Sequence, residues 1–117
     1  MIARKRPAVI PATLNLEGQG ELQTFKIEFH NHRQTAVEKK IKETVELGLN
    51  DREGSAAMVL FFVKSMEAVL PESESADTVD YPLTTAGVLD MEEDMPGVCQ
   101  AIMFTFYEAR VVNKAKN

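Results

Sequence analysis

Two long apolar segments constrain most strongly what this chain can fold into. Twelve of the fifteen residues in 56–70 and eleven of the fifteen in 98–112 are apolar. A helix on the surface of a small domain needs an apolar stripe of roughly 100°, whereas these segments are apolar nearly all round. One side of each segment can pack into the core, and the other side needs a second contact that shields it from water. The pattern therefore predicts apolar helical surface that the protein shares with copies of itself or with a client.

The candidate partner-binding residues are aromatic and methionine side chains within and between these segments. They are Phe61, Phe62, Met66, Met91, Met95, Met103, Phe104, Phe106 and Tyr107. The flexible methionine thioether suits a surface that accepts varied apolar partners, although methionine more often fills a core. The alternative is that the other elements cover these side chains inside the monomer.

The length and composition are those of one globular domain. With 117 residues, 44% of them hydrophobic and 26% charged, the chain can bury a core of its own but is too short for two ordinary domains. We therefore predict a single domain over residues 1–117. The one cysteine, Cys99, allows no internal disulfide and no cysteine-based zinc site.

The sequence shows neither a membrane span nor an export signal. The longest apolar run, 56–63, has eight residues, against the roughly 18 to 20 that a membrane-spanning helix needs. Pro7 and Pro11 follow the basic residues 4–6 and interrupt the chain before the apolar core of a signal peptide can form. The prediction is a cytoplasmic protein with no membrane partner.

Charge is distributed unevenly along the chain. Residues 65–109 contain ten acidic side chains and no Lys or Arg, whereas the remainder contains eight acidic and thirteen basic ones, which gives the net charge of −5. Repulsion of phosphate argues against nucleic acid on the acidic section, and we expect no nucleic-acid partner. Two copies could attract each other end to end; the alternative is that the acids form solvated surfaces.

The first half of the chain predicts a β-hairpin and a helix. After a flexible or extended arm over residues 1–11, apolar and polar residues alternate in 22–29, and Gly18-Gln19-Gly20 separates this segment from the strand-like 13–16. Thr35 and Glu38 match a capping box, which predicts a helix that runs to about Gly48.

The second half predicts three more helices. Ser55 can cap a helix from Ala56, and we favour helix for 58–63, although its residue types suit a strand equally well. We interpret residues 71–80 as an acidic loop, after which Thr84 or Thr85 caps a short third helix.

A fourth helix completes the predicted fold. Pro96 fits the first turn of this helix, which we expect to run to about Val112 before a frayed basic tail over 113–117. The predicted fold class is α+β, with an N-terminal β-hairpin followed by about four α-helices.

No pattern of residues indicates catalysis or a bound cofactor. The pair Gly18 and Gly20 lacks the third glycine and the strand-turn-helix context of a dinucleotide site. His30 and His32 would point to one face if the strand continued, as two metal ligands require, but no third ligand is evident. We predict no catalytic residue, no cofactor and no metal, and therefore a protein that is not an enzyme.

The order of these features resembles the tail assembly chaperones of long-tailed bacteriophages and prophages. The resemblance covers most of the chain. It rests on the strand Phe25-Lys26-Ile27-Glu28-Phe29, the Thr-x-x-Glu helix, an apolar segment ending in Val63-Lys64 and the acidic loop, followed by Tyr81-Pro82-Leu83-Thr84, Met95-Pro96-Gly97, Ile102, Phe106-Tyr107-Glu108-Ala109-Arg110 and Lys116-Asn117.

The resemblance implies a non-catalytic protein of the host bacterial cytoplasm. Such a chaperone self-associates, in a spiral, and coats the long tape measure protein during tail assembly, but is absent from the mature virion. In many such systems a frameshifted longer product recruits the tail tube protein. The alternative function is that of a phage or prophage virion structural or interaction subunit.

Overall fold

One antiparallel sheet forms the first layer of the protein. In the computed structural model, which describes residues 1–70 and 78–115, the sheet has three strands in the order β1-β2-β3. The strands are β1 (Val9–Gly18), β2 (Glu21–His30) and β3 (Val63–Val69).

Four helices among the described residues form the second layer. They are α1 (Gln34–Glu46), α2 (Asp51–Phe62), α3 (Thr85–Asp94) and α4 (Val98–Arg110). Helices α2 and α4 pack against the sheet, whereas α1 packs mainly on α2, and α3 on α2 and α4. The protein is thus α+β, and the hairpin and the four helices agree with the sequence prediction, whereas β3 was not predicted. The two layers give principal extents of 55 × 44 × 20 Å.

The hairpin has the register that its alternating pattern requires. Leu14 pairs with Phe25 and Ala12 with Ile27, so the apolar side chains of both strands share the covered face. At the turn, Gln19 and Gly20 both have positive φ, of 55° and 78°. This is the backbone of a two-residue turn whose twist matches that of the strands.

The N-terminal arm is shorter than predicted. Val9 pairs with His30, so residues 9–11 belong to β1 and only 1–8 form the arm. The sheet tolerates Pro11 because β1 is an edge strand, where a missing N–H leaves no ladder partner unsatisfied.

Two of the predicted helix caps are wrong. Arg33, not Thr35, occupies the N-cap of α1, and it makes no side-chain capping hydrogen bond. Helix α2 begins earlier than predicted because the side chain of Asn50 accepts a hydrogen bond of 2.8 Å from the backbone N–H of Glu53. Ser55 therefore lies inside α2.

The apolar segment 56–70 is helical only in its first half. Helix α2 ends at Phe62, and Val63 begins β3 with no loop between them. The edge of β2 supplies hydrogen-bonding partners for β3, so that Met66 lies opposite Ile27. The favoured helix is correct for 58–62 and wrong from residue 63 onward.

The start of α3 is as predicted, and that of α4 is not. The Thr84 hydroxyl accepts a hydrogen bond of 3.1 Å from the Gly87 N–H, so Thr84 is the cap and Thr85, the other predicted candidate, is the first residue of the helix. Pro96 precedes α4, because Gly97, with φ of 100°, forms the N-cap. Helix α4 ends at Arg110 rather than near Val112.

The two predicted irregular segments lie partly outside the described residues. Residues 78–80 of the acidic loop and 113–115 of the basic tail are exposed and belong to no helix or strand. Residues 71–77 and 116–117 lie outside the described residues. Among the described helices, none has the length and apolarity that crossing a bilayer requires.

Stacked aromatic rings form the centre of the core. The rings of Phe62 and Phe106 lie parallel with centroids 4.0 Å apart, and Phe29 meets Phe106 edge-on at 5.4 Å. All three side chains are fully buried. The core therefore joins the sheet, α2 and α4 at one point, which fixes how α4 is oriented.

Candidate interaction surface

Helix α4 is apolar on two sides. It packs against β1 and α2, and its buried residues are Val98, Cys99, Ile102 and Phe106. On the opposite side the exposed fractions are 58% for Phe104, 36% for Tyr107 and 58% for Val111, the residue that follows the helix. Spacings of three and four residues align these three side chains along the helix. We call them the outer α4 stripe.

Helix α1 carries a second exposed apolar patch. Val37 is buried, but Ile41 and Val45, which follow it at spacings of four, are 41% and 73% exposed. Leu47 and Leu49, just after the helix, are also exposed. The sequence pattern indicated a helix with one apolar side but not that most of this side remains open.

The structure separates the nine candidate partner-binding residues into three groups. Three are buried in the protomer: Phe62, Met91 and Phe106. Four are half-buried: Phe61, Met66, Met95 and Met103. Two are exposed: Phe104 and Tyr107. The three buried side chains are not available at the surface of the protomer, because the sheet and the neighbouring helices cover them.

Phe61 is held by polar neighbours rather than left open. The His32 ring stacks on the Phe61 ring at 3.8 Å, and His32 Nε2 lies 2.7 Å from the Phe61 carbonyl oxygen. The Lys40 ammonium lies 5.8 Å from the centre of the same ring. These contacts fix the end of α2 against the segment between β2 and α1.

The histidine pair is not arranged as a metal site. The rings of His30 and His32 are 5.6 Å apart, and His32 is engaged with Phe61. Within residues 1–70 and 78–115, no group of three or more His, Cys, Asp or Glu side chains could hold a metal ion.

The single cysteine belongs to the core. Cys99 is buried on the inner side of α4. Burial, together with the nearby Glu92 carboxylate, raises the pKa of its thiol to about 11. Because the thiolate is the nucleophilic form, this thiol is poorly reactive at neutral pH.

A tyrosine–aspartate contact joins the segment before α3 to the end of that helix. The Tyr81 hydroxyl donates a hydrogen bond of 2.6 Å to the Asp94 carboxylate. This hydrogen bond, with partial burial, raises the pKa of Tyr81 to about 12 from the ordinary 10.0. The contact stabilises the fold fully below pH 10, and this stabilisation is lost as the pH rises through 12.

We expect this contact to be visible in a spectrophotometric titration. Phenolate absorbance should show one tyrosine that ionises at about 12, and Asp94→Asn should return that ionisation toward its ordinary value near 10. The chain has two tyrosines, so in the Tyr107→Phe variant the remaining phenolate signal belongs to Tyr81. An unchanged titration in Asp94→Asn would show that the carboxylate is not the cause.

No family model matches the chain, and neither a curated protein nor a solved structure resembles it significantly. The function is therefore inferred from the resemblance of the sequence features to tail assembly chaperones, together with the exposed apolar surfaces of the chain and the arrangement of its charges.

Proposed function

We propose that this chain is a non-catalytic phage tail assembly chaperone that self-associates and coats the tape measure protein in the host cytoplasm. The observation that supports this proposal most strongly is the outer α4 stripe. Phe104 and Val111 are each 58% exposed, although the other side of α4 is fully occupied by the core. A stripe of this kind fits the apolar face of a client helix.

The energetics favour a covered stripe over an exposed one. Burying one side chain of the size of Phe contributes roughly 1.5–3 kcal/mol. One stripe therefore supplies modest affinity, and a long client with a repeated apolar face would bind many copies. Binding of this kind suits a small subunit that must later leave the client.

The first test uses a double variant of the stripe. Co-expression of the chain with the tape measure protein of the same phage should keep that protein soluble. Phe104→Ser with Val111→Ser should abolish this effect, because the client loses the apolar contact of the two most exposed side chains of the stripe. The measurement is the amount of tape measure protein in the soluble fraction and its recovery with the tagged chain.

The stripe variant has a matched control on the same helix. Gln100 is exposed and lies one turn before Phe104, so Gln100→Ser changes a polar side chain near the stripe without removing apolar area. Both variants should unfold within about 1 kcal/mol of the parent, since exposed positions contribute little to stability. A stripe variant that folds and still holds the client as well as the parent does contradicts the proposal.

Particle composition separates the proposal from its alternative. An assembly chaperone should be present in infected cells and missing from purified virions. Detection of the chain in stoichiometric amounts in purified particles would instead favour a virion structural subunit.

A further inference from the structure

The folded protein has an acidic end. The turn of the hairpin lies beside the end of α3, where Gln19 Nε2 donates a hydrogen bond of 2.9 Å to the Asp94 carbonyl oxygen. The two elements that adjoin here carry five carboxylates: Glu17 and Glu21 flank the turn, and Glu92, Glu93 and Asp94 end α3. Arg52 neutralises one of them through a contact of 2.7 Å with Glu93.

A partly apolar groove opens at the acidic end. Leu16 forms one wall, Met95, Pro96 and Val98 form the other, and Glu17 lies at its rim. Two carboxylates nearby already have partners, because Glu92 accepts from the Gly97 N–H and Asp94 from Tyr81. The shorter of the Glu92 contacts is 2.8 Å. We call this feature the turn groove.

The opposite end of the hairpin carries the basic arm. Residues 4–6 are Arg-Lys-Arg and all are exposed. The guanidinium of Arg6 donates a hydrogen bond of 2.8 Å to the Asn31 carbonyl oxygen, which ties the base of the arm to the body. Beyond it, Met1 and Ile2 are fully exposed. The arm therefore presents two apolar side chains next to three positive charges.

The arm is too short to fill the turn groove of its own protomer. Leu16, the groove wall nearest to the arm, lies seven residues along β1 from Val9, about 23 Å at roughly 3.3 Å per residue. Hydrogen bonds from the Arg6 guanidinium to the Asn31 carbonyl oxygen and from the Asn31 side-chain amide to the Pro7 carbonyl oxygen hold the base of the arm beyond Val9. Even fully extended, residues 1–5 reach at most about 18 Å from this base. Met1 and Ile2 would need more than this reach to enter the groove at the far end of the same strand.

We propose that the arm of one copy docks in the turn groove of a second copy. Met1 and Ile2 lie against the apolar walls of the groove, and the basic residues 4–6 lie against Glu17 and Glu21. The inference rests on the self-association part of the proposed function and names its contact. Because the two surfaces differ, the contact is heterologous and repeats head to tail, which produces a ring or an open chain.

Charge reversal on each surface tests this contact. The arm-reversed chain carries Arg4→Glu, Lys5→Glu and Arg6→Glu, and the groove-reversed chain carries Glu17→Lys and Glu21→Lys. Each alone should associate at least tenfold more weakly than the parent, measured by light scattering and sedimentation. An equimolar mixture of the two should associate again, because each reversed surface then meets a complementary one.

The control places reversals away from both surfaces. Lys26, Lys39 and Lys42 are exposed on β2 and α1, and their replacement by Glu gives the same change in net charge as the arm reversal. This variant should associate as the parent does, and association of the parent should weaken as salt shortens the screening length. A parent that stays monomeric, an arm-reversed chain that associates normally, or a mixture that stays monomeric overturns the inference.

The same variants keep this inference separate from the proposed function. Arm-dependent association without any binding of the tape measure protein would leave the inference standing and refute the chaperone proposal. If the client binds through the outer α4 stripe but both charge-reversed chains associate as the parent does, the inference is refuted and the chaperone proposal stands.

Discussion

Phe106→Ala is expected to lower the free energy of unfolding by about 3–5 kcal/mol. The Phe106 side chain is fully buried. Its ring stacks on Phe62 at 4.0 Å and meets Phe29 at 5.4 Å, so truncation removes contacts to α2 and to the sheet together. The Arg110 guanidinium, 5.7 Å from the ring centre, loses its aromatic neighbour as well.

Urea unfolding followed by circular dichroism measures this loss, with Phe104→Ala as the matched control. Phe104 lies two residues earlier on α4 and is 58% exposed, so the same truncation there should cost less than about 1 kcal/mol. Equal losses at the two positions would mean that α4 is not oriented as described.

Gly87→Ala is expected to be almost as damaging, at about 3 kcal/mol or more. A Cβ on Gly87 would lie 1.9 Å from the Pro82 carbonyl oxygen. That oxygen cannot move away cheaply, because it accepts a hydrogen bond of 2.8 Å from the Thr84 N–H at the start of α3. Relief of the clash therefore requires the cap and first turn of α3 to shift together.

Gly54→Ala is the control for this substitution, because Gly54 also lies within a helix. There the nearest atom to a new Cβ is the Thr44 methyl group at 3.5 Å, an ordinary contact. Alanine at this position should stabilise the protein by about 0.5–1 kcal/mol, since glycine is the poorer helix former. Thermal unfolding of both variants measures these changes in stability. A Gly87→Ala protein as stable as the parent would show that Gly87 does not lie this close to the Pro82 carbonyl oxygen.

Local signals in the sequence were sufficient for part of the fold. The alternation through Phe25, Ile27 and Phe29 predicted β2 because every second side chain of a strand faces the same layer. Thr84 or Thr85 was predicted as a cap because a threonine hydroxyl needs only an N–H three residues later. Both features depend on neighbours in the sequence, and both are present in the structure.

The features that depend on distant residues were not predictable in this way. Val63 begins β3 because the edge of β2 is available beside it, which the composition of 56–70 does not reveal. The start of α1 likewise lies earlier than the local Thr35 signal indicated. Tertiary contacts override local preference at these positions.

The exposed apolar surface of α4 was predicted in kind but not in orientation. The apolar excess of 98–112 correctly indicated two apolar sides of α4, but only the fold shows that Phe106 faces the core and Phe104 faces outward. The charge pattern placed Glu17 and Glu21 in the basic part of the chain. Contact between the hairpin turn and the end of α3, through Gln19 and the Asp94 carbonyl oxygen, puts them at the same end of the molecule as residues 92–94.

The smallest extent of the protein, 20 Å, explains why so much apolar surface stays open. A sheet and one helix layer packed about 10 Å apart use the whole of this thickness. In the part of the chain that the structure describes, residues 1–70 and 78–115, no helix or strand forms a third layer over the far side of α4. This side of the plate is therefore open to a partner.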